Sequence, residues 1–162
     1  MELTNFEPAV LALADALRAR GWRLATAESC TGGLIAAACT AVAGSSDWFE
    51  RGFVTYSNAA KTELLGVPPS RIDAHGAVSE EVALAMAGGV LTHAPVNLSV
   101  AVTGIAGPGG AVPGKPVGTV WLAWGTAQGL QAERLQLGGD RAAVRAATVQ
   151  AALQRLLERA SG

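Results

Sequence analysis

Charge is scarce in this chain. Only 15% of its 162 residues are Asp, Glu, Lys or Arg, and the twelve basic and thirteen acidic ones leave a net charge of −1 with no run of either sign. A nucleic-acid-binding module needs a basic face, so that class is set aside and a small-molecule partner is expected. Aromatic residues are equally few at 5%, while half the chain is hydrophobic. That balance excludes disorder, a fibrous repeat and a coiled coil. The two cysteines, Cys30 and Cys39, form no CxxC pair and share one apolar segment, which speaks for reduced thiols and a cytoplasmic setting. No stretch is long and apolar enough to span a bilayer, and the N-terminus MELTNFEPAV lacks the basic start and apolar centre of a signal peptide. The histidines His75 and His93 have no acidic or cysteine neighbours at ligand spacing, so neither a metal nor a cofactor is expected.

What is present reads as one domain over residues 1–162. Val10, Leu13, Ala14 and Leu17 recur at helical spacing before Gly21, and RLATA at 23–27 reads as a strand. Thr31-Gly32-Gly33 then opens the apolar helix LIAAACTAVAG. GFVTY at 52–56 reads as a second strand, followed by a short helix with Asn58 as its N-cap. Pro68-Pro69 ends that helix, and Ser79-Glu80-Glu81 starts another that runs to about His93. A strand over 97–103 meets the long loop GIAGPGGAVPGKP; a hairpin of 117–126 with 130–137 follows, and Asp140 caps a last helix. Helices interleaved with strands predict an α/β fold: an α/β/α sandwich on a mixed, mainly parallel sheet, with a C-terminal β-hairpin followed by a helix. Ligands in such sheets gather beyond the carboxyl ends of the strands.

Polar clusters stand at three of those ends. Glu28-Ser29-Cys30-Thr31-Gly32-Gly33 offers hydroxyls and free backbone N–H groups for an anion, with no lysine to make it a Walker loop. Its plainer role is to cap a helix and let it approach the sheet. Tyr56-Ser57-Asn58 and Thr103-Gly104 are the other two. The long glycine loop leads into a strand instead of opening a helix, so it is no dinucleotide fingerprint. Its later glycines are either a lid or ordinary surface loop.

The most informative scarcity is lysine. Against ten arginines the chain has only Lys61 and Lys115, and a lysine desolvated among Ala59, Ala60 and Leu64 can act as a base where arginine cannot. Tyr56, the one tyrosine, stands five residues before Lys61, and Ser46 lies in a loop. Together they supply nucleophile, proton relay and base for acyl transfer, or else a turn serine, a core-edge tyrosine and a surface lysine. Arg141 opens the last helix, where a cation opposes the helix dipole but suits an anion clamp. Trp48, Trp121 and Trp124 could stack a heteroaromatic ring, although a core or subunit contact is the commoner fate of tryptophan.

Six ordered blocks carry a resemblance that spans nearly the whole chain: AESCTGG at 27–33, AGSSDWFERGFVTYSNAAK at 43–61, GAVSEEVA at 76–83, TGIAGPGG at 103–110, KPVGTVW at 115–121 and GGDR at 138–141. Together they are similar to the CinA C-terminal domain family, whose members include stand-alone nicotinamide-nucleotide amidohydrolases. The resemblance implies hydrolysis of the carboxamide of nicotinamide mononucleotide to nicotinate mononucleotide and ammonia, in pyridine-nucleotide recycling. It also implies Ser46 as nucleophile, Lys61 as base and Tyr56 as assisting hydroxyl. Ser29, Thr31, Gly32, Gly33, Asn58, Thr103, Gly104 and Arg141 would line the nucleotide pocket. Ser46 and Ser29 both sit in glycine-containing turns, so geometry must divide the roles between them. Some members carry a large N-terminal pyrophosphatase domain, an activity not expected of this chain. A homo-oligomer is expected, with Trp48 and Phe49 as a hint that a neighbouring subunit completes the site. The rival reading is a catalytically silent nucleotide-binding or interaction module linked to competence or DNA-damage responses.

Overall fold

A computed structural model describes residues 2–162. In chain order the elements are α1 (Glu7–Arg20), β1 (Leu24–Glu28), α2 (Leu34–Thr40), β2 (Phe49–Val54), α3 (Asn58–Leu65), α4 (Pro69–His75), α5 (Glu80–His93), β3 (Leu98–Gly104), β4 (Thr119–Thr126), β5 (Gly129–Gln136) and α6 (Arg141–Ser161). The five strands form one mixed sheet in the order β2-β1-β3-β4-β5. β1 pairs in parallel with β2 and β3, and β3-β4-β5 continue antiparallel. All five residues of β1 are buried, as a central parallel strand covered on both faces requires.

Two apolar layers enclose the sheet. One face carries α1, α2 and α6, whose Val10, Leu13, Leu17, Ile35, Val149, Leu153 and Leu156 pack against Leu24, Leu98, Val100 and Leu122. The other carries α3, α4 and α5, through Leu65, Ile72, Val82, Met86 and Val90, against Ala25, Ala27, Ala101 and Ala123. Small alanines on that face let α5 approach closely. A Cβ at Gly89 would sit 2.2 Å from the Leu65 carbonyl oxygen, so only glycine allows α3 and α5 to touch there.

Several boundaries differ from the sequence expectation. The second strand begins at Phe49 and ends at Val54, which leaves Thr55 and Tyr56 beyond its end. Ser57, not Asn58, caps α3, accepting a hydrogen bond from the Ala60 N–H at 3.0 Å; Asn58 is the first helical residue. A helix, α4, occupies residues where only a break was expected. Pro69 is its first residue, a place where proline suits a helix because that N–H needs no partner. Trp48 is fully buried and Trp124 nearly so, which withdraws the hint that Trp48 marks a subunit contact.

Candidate active site

The carboxyl ends of β1, β2 and β3 open onto a pocket of about 200 Å³. Ser29 and Cys30 from the β1–α2 turn, Tyr56 and Asn58 after β2, Lys61 of α3, Ala77 and Val78 before α5, Thr103, Gly104 and Ala106 at the end of β3, and Arg141 of α6 line it. The three polar clusters of the sequence therefore meet in one place.

Lys61 is its centre. It lies one turn before Leu65 on the inward face of α3 and is only 1% exposed. Its Nζ has three partners, each at 3.0 Å: the Thr55 carbonyl, the Tyr56 carbonyl and Ser29 Oγ. No carboxylate is among them. Burial without a counter-charge disfavours the ammonium form, so the pKa of Lys61 is lowered, a nearby Cys30 thiolate being a smaller opposing influence. The partners also dictate how a neutral amine would sit. Carbonyl oxygens can only accept, so they take its two N–H bonds, and the lone pair is left facing the Ser29 hydroxyl. In the charged form the lysine donates to all three, and Ser29 can turn its own proton toward the Tyr56 carbonyl at 3.4 Å.

Ser29 is held as firmly as its partner. Its N–H donates to the Val102 carbonyl, and its carbonyl accepts from the Gly32 N–H, both at 3.1 Å. The preceding residue, Glu28, is a buried carboxylate that ties the end of β1 to the first turn of α2. It accepts from Thr31 Oγ1 at 2.6 Å, the Ile35 N–H at 2.8 Å and the Ala36 N–H at 3.0 Å. Removing it would orphan three donors, two of them buried, and hydrogen bonds to a charged group are worth about 1.5–3 kcal/mol each without adding fully. Glu28→Ala is therefore expected to lower unfolding stability by about 3 kcal/mol, read from a chemical denaturation curve.

Ser46 stands elsewhere. It is exposed in a 3-10 turn, Ser45–Asp47, that precedes β2, whereas Lys61 and Ser29 lie past the other end of the sheet. The length of β2 separates them, roughly 17 Å of strand. The geometry does not bring Ser46 to Lys61, and the serine that Lys61 touches is Ser29. Tyr56 also differs from its expected part. The residue is 62% exposed, its hydroxyl has Arg141 Nη2 as partner at 3.4 Å, and the atom that meets Lys61 is its backbone carbonyl.

The remaining expected residues divide. Asn58, Thr103, Gly104 and Arg141 stand on the pocket wall, with Thr103 Oγ1 donating to the Ala77 carbonyl at 2.9 Å and Arg141 Nη1 to the Gly107 carbonyl at 2.8 Å. Gly104 has no room for a side chain, since a Cβ would come within 2.6 Å of Val120 Cγ2. Thr31 is fully buried and spends its hydroxyl on Glu28, while Gly32 and Gly33, at φ 59° and 107°, shape the turn behind the wall instead of lining it. Lys115 pins the long loop to the segment before α5, donating to the His75 carbonyl at 2.7 Å, and Arg134 Nη2 holds the Gly114 carbonyl at 2.9 Å.

One neighbour bears on the chemistry. Cys30 abuts Ser29, but burial pushes its thiol up to about 11, which makes it a poor nucleophile near neutrality. Among the described residues no cluster of three or more His, Cys, Asp or Glu could hold a metal ion, and no helix is long and apolar enough to cross a membrane. Beyond Arg141 and Ala106 the pocket continues into a wider groove of about 680 Å³, walled by Pro108, Val117, Gly139, Asp140 and Arg145.

The model of the CinA C-terminal domain matches residues 7–160 of the sequence. The chain belongs to that family. It is 55% identical over 146 residues to the nicotinamide-nucleotide amidohydrolase PncC of Pseudomonas putida, covering 90% of this chain and 91% of that protein. With the protein of the same name from Escherichia coli K12 it shares 52% over 143 residues, 88% of this chain and 87% of the relative. A longer CinA-like protein from Syntrophobacter fumaroxidans matches at 51% over 139 residues, which make up 33% of its length. Among solved structures, the competence/damage inducible protein CihA from Agrobacterium tumefaciens superposes with a TM-score of 0.92 at 45% identity, over 94% of each chain. A CinA superfamily protein from Klebsiella pneumoniae gives 0.92 at 41% identity, over 96% of this chain and 97% of that one. The fold is thus that of the CinA superfamily.

Proposed function

We propose that this CinA-family chain hydrolyses the carboxamide of nicotinamide mononucleotide, giving nicotinate mononucleotide and ammonia, with Ser29 as nucleophile and Lys61 as its base. The observation that carries the reading is the 3.0 Å contact between a buried, carboxylate-free lysine and a serine hydroxyl at the pocket wall. Relatives named for this amidohydrolase activity, matched over most of their length, support the choice of substrate.

In the proposed sequence the neutral Lys61 amine takes the Ser29 proton as Oγ adds to the carboxamide carbon. The tetrahedral intermediate collapses when the same proton passes from Lys61 to the amide nitrogen, which leaves as ammonia. The C–N bond breaks and an ester to Ser29 remains. Water, deprotonated by Lys61, then attacks the ester and releases the carboxylate, and Ser29 recovers its proton. A pyridinium ring favours the first addition because it withdraws electrons from the carboxamide. Tyr56 supplies the one aromatic ring of the lining for that cationic ring to meet.

The nucleotide part lies in this reading along the wider groove, its phosphate against Arg141. A guanidinium bound to a phosphate contributes about 1.5–3 kcal/mol, so Arg141→Ala should raise KM for the mononucleotide roughly 10–100-fold. Steady-state kinetics check this, and kcat should move much less. The carboxylate product returns the pyridine ring to dinucleotide synthesis, and the free thiols of Cys30 and Cys39 suit a reducing cytoplasm. The competing module without catalysis has no need of a desolvated lysine against a hydroxyl. Ammonia release from the purified chain with nicotinamide mononucleotide separates the two: turnover that Ser29→Ala removes supports the enzyme, and binding without ammonia supports the module.

A further inference from the structure

No motif or spacing in the chain singles out Arg145. It lies on α6 one turn after Arg141 and is half-buried in the wall of the groove. Two of its three nitrogens point back at the nucleophile turn: Nε donates to the Cys30 carbonyl and Nη2 to the Thr31 carbonyl, each at 3.2 Å. These contacts cross more than a hundred residues of sequence to reach the backbone just after Ser29.

Peptide planarity says what they do. In a trans peptide the C=O and the following N–H point in opposite directions, so fixing a carbonyl aims the next amide. Arg145 holds the Cys30 carbonyl and thereby turns the Thr31 N–H away from α6. It also holds the Thr31 carbonyl, whose peptide carries the Gly32 N–H; that N–H donates to the Ser29 carbonyl at 3.1 Å. The Ser29 carbonyl in turn belongs to the peptide that carries the Cys30 N–H. One guanidinium thus sets three successive peptide planes. Glu28 braces the same turn from behind through Thr31 Oγ1. Among the described residues no backbone carbonyl accepts from the Cys30 or Thr31 N–H, unlike those of Ser29 and Gly32, and the Cys30 N–H has only its own thiol nearby. Cys30 lies on the pocket wall beside Ser29.

We infer that Arg145 is a positioning residue for the oxyanion hole: it holds the Ser29–Gly32 turn so that the Cys30 N–H receives the negative charge that develops on the carboxamide oxygen. The inference rests on the reading of Ser29 as nucleophile. A backbone donor at the residue after the nucleophile is well placed, because the oxygen of the tetrahedral carbon lies within reach of the amide that follows the attacking atom. Arg145 need not touch the substrate.

The test compares Arg145→Met and Arg145→Lys with the unaltered chain on nicotinamide mononucleotide and on its thiocarboxamide analogue. Sulfur accepts hydrogen bonds poorly, so an intact oxyanion hole favours the oxygen substrate beyond its intrinsic reactivity, and a disordered one loses that margin. Expected for Arg145→Met are a fall in kcat of about 10²-fold, a KM within about threefold, an oxygen-over-sulfur preference reduced about tenfold or more and an unchanged pH midpoint. Arg145→Lys, which keeps one donor, should recover part of both kcat and the preference even if the methionine variant folds poorly. An unchanged kcat overturns the inference. So does a loss confined to KM, which would make Arg145 a groove contact, or a loss of kcat with the oxygen-over-sulfur preference intact in both variants. Ser29→Ala, measured alongside, keeps the two levels apart. Activity in that variant would remove the nucleophile assignment itself, whereas an inactive Ser29→Ala beside a fully active Arg145→Met would remove only the role of Arg145.

Discussion

Ser29→Ala is expected to abolish ammonia release from nicotinamide mononucleotide, a loss on the order of 10⁶ in kcat by analogy with other serine nucleophiles. Ser46→Ala should stay within about twofold of the unaltered chain, as surface substitutions away from a site usually do. The contrast is large because the two serines sit at opposite ends of the sheet. Ser29 follows directly on the central strand β1, its backbone is fixed by Val102 and Gly32, and its hydroxyl faces the buried Lys61 amine. Ser46 is exposed before the edge strand β2, at the end of the sheet away from Lys61. Ammonia release by a coupled assay reads the outcome. An inactive Ser46→Ala with an active Ser29→Ala would reverse the assignment.

Lys61→Arg should lose turnover nearly as completely, at least 10³-fold in kcat, although it preserves positive charge. Guanidinium stays protonated at any pH the protein survives, so it cannot take the Ser29 proton. It would also place a larger, planar group where only three acceptors at 3.0 Å surround an ammonium-sized atom. The pH profile carries the same argument. Desolvation lowers the Lys61 pKa, so kcat/KM should rise with pH and level off below about 10.4, the ordinary lysine value. The stability linkage has the matching sign. A base whose pKa is lower in the folded chain binds fewer protons there, so its penalty on folding fades as pH climbs from the folded value toward the unfolded one. A profile flat across the neutral and alkaline range would take the base role from Lys61.

Much of this architecture was legible in the residues. Apart from α4, the order of helices and strands, the hairpin and the Asp140 cap follow from periodicity and turn chemistry, because those signals act within one or two turns of chain. The scarcity of lysine also drew attention to Lys61 and Lys115, and the structure buries the first of them at the pocket. The pairing of Lys61 with Ser29 was harder to see. Ser46 is fifteen residues from Lys61 and Ser29 is thirty-two, yet parallel pairing of β1 with β2 puts the carboxyl ends of both strands together and sends Ser46 to the far edge. Strand direction decides the partner, and sequence proximity misleads. Tyr56 was singled out for a hydroxyl when its carbonyl is what binds Lys61, a backbone role that no side-chain pattern records. Glu28 and Arg145 were missed as the braces of the turn. A carboxylate at the end of a short, mostly apolar strand was the available signal for Glu28, but Arg145 reads as an ordinary polar position of an amphipathic helix until the β1–α2 turn is seen beside it.

The most direct test of the central claim is the position of the covalent intermediate. Acid quenching of the chain during turnover of nicotinamide mononucleotide, followed by proteolysis and fragmentation mass spectrometry, locates any ester. The account predicts the nicotinate mononucleotide acyl group on Ser29; finding it on Ser46 would contradict it.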